Sequence, residues 1–294
     1  MKIAIYGQYY QEDSGNHIIT LLQELKEKNA EVYIEENYLA IIENIFILNQ
    51  EYKTFSSFEE LDGSFDIFFS IGGDGTILRT ILYVRHLGIP VLGINTGRLG
   101  FLATVQKEAI KQAVADVVSG NFNVVERSLL QITTNPPLRD FSKVNFALNE
   151  ITVSRKNTTS MITVSTWLNN ECLTAYWADG LIVSTPTGST GYSLSCGGPV
   201  ITPDANALVL TPIAPHNLNA RPLVIPDDVT IKLKVSGREH NFLVSLDSRI
   251  ATLTNDMEVF IQKAPFSIKM VELTNESFLK TLRKKLLWGE DRRN

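Results

Sequence analysis

The densest run of chemically unusual residues is Gly72-Gly73-Asp74-Gly75-Thr76, three glycines around one carboxylate. It follows an almost continuously apolar stretch, Phe65 to Ile71, and precedes residues at helical spacing, Thr76 to His86. Glycines at the carboxyl end of a buried strand let backbone N–H groups approach a phosphate, and a helix N-terminus adds partial positive charge. A carboxylate in such a cradle repels phosphate unless it has a task. Two tasks suit it: holding a metal ion bridged to phosphates, or accepting a proton from an attacking hydroxyl. A tight turn in which Asp74 merely caps the helix also fits these residues. Arg79, one turn into the helix, is placed either to reach a phosphate oxygen or to face solvent.

A second chemically loaded stretch is Thr185-Pro186-Thr187-Gly188-Ser189-Thr190-Gly191-Tyr192-Ser193-Leu194-Ser195. Buried hydroxyls need partners, so this is poor core material and a good lining for a flat, polar ligand that Tyr192 can stack on. Asn149-Glu150 pairs an amide with a carboxylate, a combination able to hydrogen-bond an adenine edge and ribose hydroxyls. Asp179-Gly180 precedes a strand, where turn chemistry alone would account for it. No GxxxxGK[ST] segment exists, and the protein-kinase signature set is missing. Gly93-Ile94-Asn95-Thr96-Gly97 does not continue as GxGxxG, so a dehydrogenase fingerprint is missing too.

The elements that must position these groups fall into two regimes. Up to Gly120, strand runs (Ile3 to Tyr6, Val32 to Ile34, Phe65 to Ile71, Ile89 to Ile94) alternate with helical spacing. The helical runs are Ile18 to Leu25, Thr76 to His86 and Ile110 to Val117. This alternation predicts an α/β N-terminal domain, 1–121, with an open, mostly parallel sheet carrying the glycine turn. From Phe122 to about Leu273, short β-rich runs separated by Pro, Gly, Asn and Asp predict an antiparallel, β-rich C-terminal domain, 122–274. The remainder, 275–294, reads as an amphipathic helix with Leu279, Leu282 and Leu286 on one stripe, expected to pack back on the first domain.

Composition narrows the function classes. With 27 Lys and Arg against 32 Asp and Glu, the net charge is −5, which argues against a nucleic-acid-binding surface. Two cysteines, Cys172 and Cys196, exclude a disulfide scaffold and, without a CxxC pair, speak against a thiolate zinc site. Neither a signal-peptide core nor a transmembrane run is seen, so a soluble cytoplasmic protein without membrane partners is expected.

In order and spacing, Gly72 to Thr76, Asn149-Glu150, Asp179-Gly180 and Thr185 to Pro199 resemble the NAD kinase family, as do Pro215-His216 and Arg221-Pro222. The glycine turn alone is shared with phosphofructokinases and with diacylglycerol and sphingosine kinases; the hydroxyl-rich stretch is not. The resemblance implies a two-domain enzyme whose β-rich domain binds NAD. It would use ATP and a divalent metal ion, Mg²⁺, to phosphorylate the 2′-hydroxyl of the adenosine ribose of NAD, giving NADP. A homodimer or homotetramer is implied as well. Carried over position by position, Asp74 would accept the proton, and Gly72, Gly73 and Gly75 would lie along phosphate. Asn149 and Glu150 would meet the adenosine half, and Asp179 and Gly191 the nicotinamide half. Thr187, Thr190, Tyr192, Ser193, Leu194 and Ser195 would line the remaining pocket, and Ala214 falls at a contact position. The chain departs from the family where Trp177-Ala178 replaces a frequent basic residue ahead of Asp179, and where Arg249 stands in place of a frequent Gln. Arg249 would compensate by offering its charge to a pyrophosphate or to the new 2′-phosphate.

Overall fold

The computed structural model describes residues 1–8, 15–138, 141–157, 160–217, 219–274 and 276–288. They form two compact units, one of Met1–Glu126 with Ile268–Asn294, the other of Arg127–Ser267. The chain passes between them within the strands Phe122–Asn135 and Glu258–Leu273.

In the first unit, runs of Ile, Val and Phe long enough for strands but too short for helices form a parallel sheet. Its order is Lys53–Phe55, Glu31–Glu35, Lys2–Gly7, Ile67–Ile71 and Val91–Asn95, with Met270 paired to Val91 on the far side. Every residue of Ile67–Ile71 is buried, as expected of a strand covered on both faces. Its side chains alternate. Ile67, Phe69 and Ile71 join a core with Ile18, Leu21 and Leu25 of the helix Gly15–Glu27 and Val114 and Val117 of the helix Ile110–Ser119. Phe68 and Ser70 face the helix Asp74–Val84: Tyr83 lies 6.4 Å from the Phe68 ring, and the Thr80 hydroxyl donates to Ser70 Oγ at 2.8 Å. Burying one such Phe or Ile side chain stabilises by about 1.5–3 kcal/mol. The glycine turn therefore hangs between two fixed elements.

The C-terminal helix, Phe278–Leu286, corrects the expected stripe. Leu282 is buried, but Leu279 is 60 % and Leu286 39 % exposed, and it is Thr281 that lies buried beside Leu282. The seam is narrower than the leucine spacing promised because it runs along adjacent residues. Ser277 caps this helix at Lys280 N.

The second unit holds two antiparallel arrays around one core. The first runs Leu223–Pro226, Ala207–Ile213, Gly180–Ser184, Glu150–Arg155, Asn241–Leu246 and Arg249–Thr254. The second pairs Glu171–Ala178, Ile162–Leu168, Ile231–Gly237 and Glu258–Ile261. Inward residues of both, such as Val153, Leu181 and Val244 with Val164, Leu233 and Val259, share one cluster. The strict alternation along Asn241–Leu246 marks a strand with one face in that core. Among the described residues no helix is long and apolar enough to cross a membrane.

Candidate active site

The strand Ile67–Ile71 delivers the glycine turn at its carboxyl end. Gly72 takes φ +149° and donates its N–H to Ile94 O at 2.9 Å; a Cβ there would lie 2.2 Å from Thr76 Oγ1. The fold itself therefore demands glycine at 72. It makes no such demand at Gly73 or Gly75. Both are exposed, neither has a positive φ, and a Cβ on either meets nothing within 4 Å. Their backbone lies open to whatever approaches.

Asp74 is the first residue of its helix, but its carboxylate does not cap that helix, which sets aside the capping alternative. It turns to a neighbouring loop. Oδ2 accepts the Phe101 N–H at 2.8 Å, and Oδ1 accepts the N–H groups of Leu102 and Ala103, each at 3.0 Å. The loop passes so close that a Cβ on Gly100 would lie 1.9 Å from Asp74 Oδ1. Asn95, 2 % exposed at the end of its strand, shapes the loop: it accepts from Gly97 N at 2.7 Å and donates to Arg98 O at 2.6 Å and Ala103 O at 3.3 Å. The Phe101 ring packs 6.3 Å from Phe278, and the Lys285 ammonium sits 5.8 Å from the same ring. Sequence reasoning gave positions 98–103 no role. A second glycine cluster after a second buried strand, Gly93 to Gly100, was the available signal.

Arg79 is exposed, and its charge acts on Tyr83 one turn further along. Burial, followed by the Glu35 charge, pushes the Tyr83 phenol up to about 12 against that influence.

In the second unit, Asn149-Glu150 is organised by another aspartate. Asp247, at φ +51°, accepts from the backbone N–H groups of Leu148 at 3.0 Å, Asn149 at 2.8 Å and Glu150 at 3.2 Å. Burial raises the carboxyl of Asp247 above its ordinary range against the pull of these bonds and of Arg249. Glu150 is 9 % exposed, and its Oε2 is buried without a hydrogen-bond partner among the described residues. Burial first, then the Asp247 charge, pushes its carboxyl up to about 8, while the Tyr192 backbone N–H opposes the rise. Gly191 faces this pair: a Cβ there would stand 3.2 Å from Glu150 Oε2 and 3.7 Å from Asn149 Nδ2. The structure thus brings together Asn149, Glu150, Gly191 and Tyr192.

The hydroxyl-rich segment divides in two. Thr185, Ser189 and Ser193 are fully buried. Thr185 Oγ1 donates to Leu148 O at 2.6 Å, Ser189 Oγ to Pro186 O at 2.7 Å, and Ser193 Oγ pairs with Thr211 Oγ1 at 2.8 Å. These hydroxyls hold the turn, so the expectation that the segment makes poor core is corrected for them, and Ser193 faces inward. Tyr192 and Ser195 are exposed; Thr190, Gly191 and Leu194 are half-buried. Thr187 is buried with its hydroxyl unpartnered among the described residues.

Three further residues are engaged within the unit. Asp179 pairs with Arg155 at 2.9 Å. Arg249 donates to Val144 O at 3.0 Å and to Phe146 O, so its guanidinium is directed at backbone carbonyls and the Phe146 ring. Ala214 is exposed at φ +43°, a backbone region that alanine rarely adopts, and the neighbouring His216 ring lies 4.2 Å from Trp177.

An α/β unit with an open glycine turn at a strand end, joined to a β-rich unit with a polar cluster, suits the class of nucleotide-handling phosphotransferases, and the comparisons with known proteins supply the family. The ATP-NAD kinase N-terminal domain model matches residues 7–122 and the ATP-NAD kinase C-terminal domain model residues 148–273. The chain belongs to the NAD kinase family. It is similar to the NAD kinases of Christiangramia forsetii, 64 % identical over 294 residues, and Flavobacterium johnsoniae, 59 % identical over 294, each covering 100 % of both chains. Among solved structures, an Archaeoglobus fulgidus NAD kinase in complex with ATP matches at TM-score 0.76 and 28 % identity, covering 98 % of this chain and 99 % of that one. Yeast NADH kinase complexed with NADH matches in fold at TM-score 0.88 and 23 % identity, covering 99 % and 88 %.

Proposed function

We propose that the chain transfers the γ-phosphoryl group of ATP to the 2′-hydroxyl of the adenosine ribose of NAD, giving NADP, with Asp74 as proton acceptor. The observation that supports this most is the turn itself. A carboxylate held in fixed geometry stands between two glycines whose missing side chains the fold does not require. A backbone kept bare without a packing reason is suited to close phosphate approach.

A ribose hydroxyl is a weak nucleophile at neutral pH, so positioning, charge neutralisation and a proton sink must be supplied. Asp74 supplies the sink. The N–H groups of the glycine turn supply fixed dipoles for the phosphates. A divalent metal ion bound with ATP would supply neutralisation of the phosphate charge. Asn149 and Glu150 offer an amide and a carboxyl to the nucleoside, and Tyr192 offers an exposed ring. Arg79, Asp179, Thr187, Thr190, Leu194, Ser195 and Ala214 are further contacts on this reading. Arg249 and Ser193 serve by holding the elements around them. The active form on this reading is a homodimer or homotetramer in the cytoplasm.

The test is product identity. Incubation with NAD and Mg·ATP should give NADP and ADP in equal amounts, with the new phosphate on the 2′-oxygen by phosphorus NMR. Parallel reactions with NADH, and with polyphosphate in place of ATP, define acceptor and donor. Phosphate transfer to a sugar or lipid alcohol with none to NAD would refute the reading.

A further inference from the structure

We infer that Asp74 presents one acceptor position, on Oδ2, and that Gly100 is the positioning residue that lets the loop Phe101–Ala103 aim it. This rests on the proposed proton-acceptor role of Asp74, and specifies which atom acts and what holds it. An ionised carboxylate has about four lone-pair sites, two on each oxygen. Oδ1 accepts from both Leu102 and Ala103, so its two sites are occupied. Oδ2 accepts from Phe101 alone among the described residues. One site remains, and the loop decides where it points.

Gly100 has no positive φ, so its backbone conformation is open to any residue. What matters is its missing side chain. A Cβ would stand 1.9 Å from Asp74 Oδ1, 2.6 Å from Cγ and 3.0 Å from Oδ2. Either the loop or the carboxylate must yield to such a methyl. The loop is fastened: Asn95 holds Arg98 O and Ala103 O, Phe278 and Lys285 pack on Phe101, and Ala103 Cα lies 2.8 Å from where a Cβ on Gly93 would be. The carboxylate is the side that moves. In the reaction the 2′-O–H bond breaks and its proton goes to Oδ2. The oxygen forms a bond to the γ-phosphorus, and the bond to ADP breaks with its electron pair leaving on ADP. Turning Oδ2 away removes the proton's destination without touching the groups that hold NAD.

The experiment is a double-mutant cycle on steady-state NADP formation, with wild type, Gly100→Ala, Asp74→Asn and the double variant. Gly100→Ala should lower kcat by about 10²-fold, the scale of a roughly 1 Å misplacement, and leave KM for NAD unchanged. In the Asp74→Asn background the same change should cost nothing further, because groups acting as one unit are not additive. Wild-type turnover by Gly100→Ala, or losses that multiply in the double variant, overturns the inference. Wild-type turnover by Asp74→Asn sinks the proton-acceptor reading and this inference with it, a result distinct from multiplying losses. Should Gly100→Ala fail to fold, an ester in place of the Leu102 amide, made by incorporating the α-hydroxy acid, removes one donor from Oδ1 and alters no side chain. It should lower kcat by roughly 10- to 150-fold, the scale of one hydrogen bond to a charged group. An unchanged kcat there is equally fatal.

Discussion

Replacing Asp74 with Asn separates what the carboxylate does for the fold from what it does for the reaction. The amide keeps one oxygen and puts an NH₂ where the other was. Its better orientation leaves the oxygen at Oδ1, accepting from Leu102 and Ala103, and sets the NH₂ opposite the Phe101 N–H, which now donates to Oδ2 at 2.8 Å. The flipped orientation opposes two donors and is worse. One charge-assisted bond is lost and one N–H is left facing another donor, together worth about 1–3 kcal/mol. For a chain of this size that lowers Tm by roughly 2–4 °C per kcal/mol. The rate loss is separate: an amide cannot take a proton at neutral pH, so kcat should fall by about 10²–10⁴-fold. Scanning fluorimetry reads the first effect, a coupled NADP assay the second, and calorimetry should show NAD still binding. Wild-type turnover would refute the proton-acceptor argument. An unshifted Tm would show instead that the three amide bonds are not formed in solution.

Gly73→Ala places a methyl where the protein has nothing within 4 Å, so stability should stay within about 0.5 kcal/mol of wild type while KM for ATP rises; an unchanged KM would remove phosphate from that turn. Glu150→Gln tests the raised carboxyl. The folded value, about 8, exceeds the ordinary 4.5, so the folded state binds the extra proton between them and wild-type stability declines as pH rises through that window. The Tm of Glu150→Gln relative to wild type should therefore climb from pH 4.5 to above 8, and a constant difference would contradict it. Glu35→Ala strips the cap from the helix Glu36–Glu43, where the carboxylate accepts from Tyr38 N at 2.9 Å and Asn37 Nδ2 at 2.8 Å. It should cost about 1–3 kcal/mol by denaturant titration. It should also bring the Tyr83 phenol down from about 12, read by ultraviolet titration, although burial keeps it above its ordinary value.

What could be read from the sequence was what local pattern encodes. Phe65 to Ile71 announced a strand covered on both faces because nearly every residue is apolar, and Asn241–Leu246 announced one with a single buried face because its residues alternate. Glu171–Ala178 went unread because most of it is exposed and its pattern matches neither period. Arg249–Thr254 went unread for a related reason: Ile250 is 68 % exposed, so apolar character and burial do not coincide along it. The leucine stripe of the last helix failed in the same way.

The deeper limit concerns the two aspartates. Asp74 takes the N–H groups of residues 27, 28 and 29 positions onward, and Asp247 those of residues 97, 98 and 99 positions earlier. In each case one carboxylate gathers three successive amides: Asp74 fixes an irregular loop, and Asp247 the turn Leu148-Asn149 that leads into the strand Glu150–Arg155. No periodicity or propensity marks such a bond, because its donors are backbone groups common to almost every residue. The motif that could be read, the glycine turn, carries the carboxylate proposed as proton acceptor. The loop that aims it, Gly97 to Ala103, showed only as a second glycine cluster lacking a fingerprint, and its bond to Asp74 exists only once the sheet has brought the ends of Ile67–Ile71 and Val91–Asn95 side by side. Residue types therefore mark candidate groups and the family they resemble, whereas the orientation of those groups is a property of the folded chain.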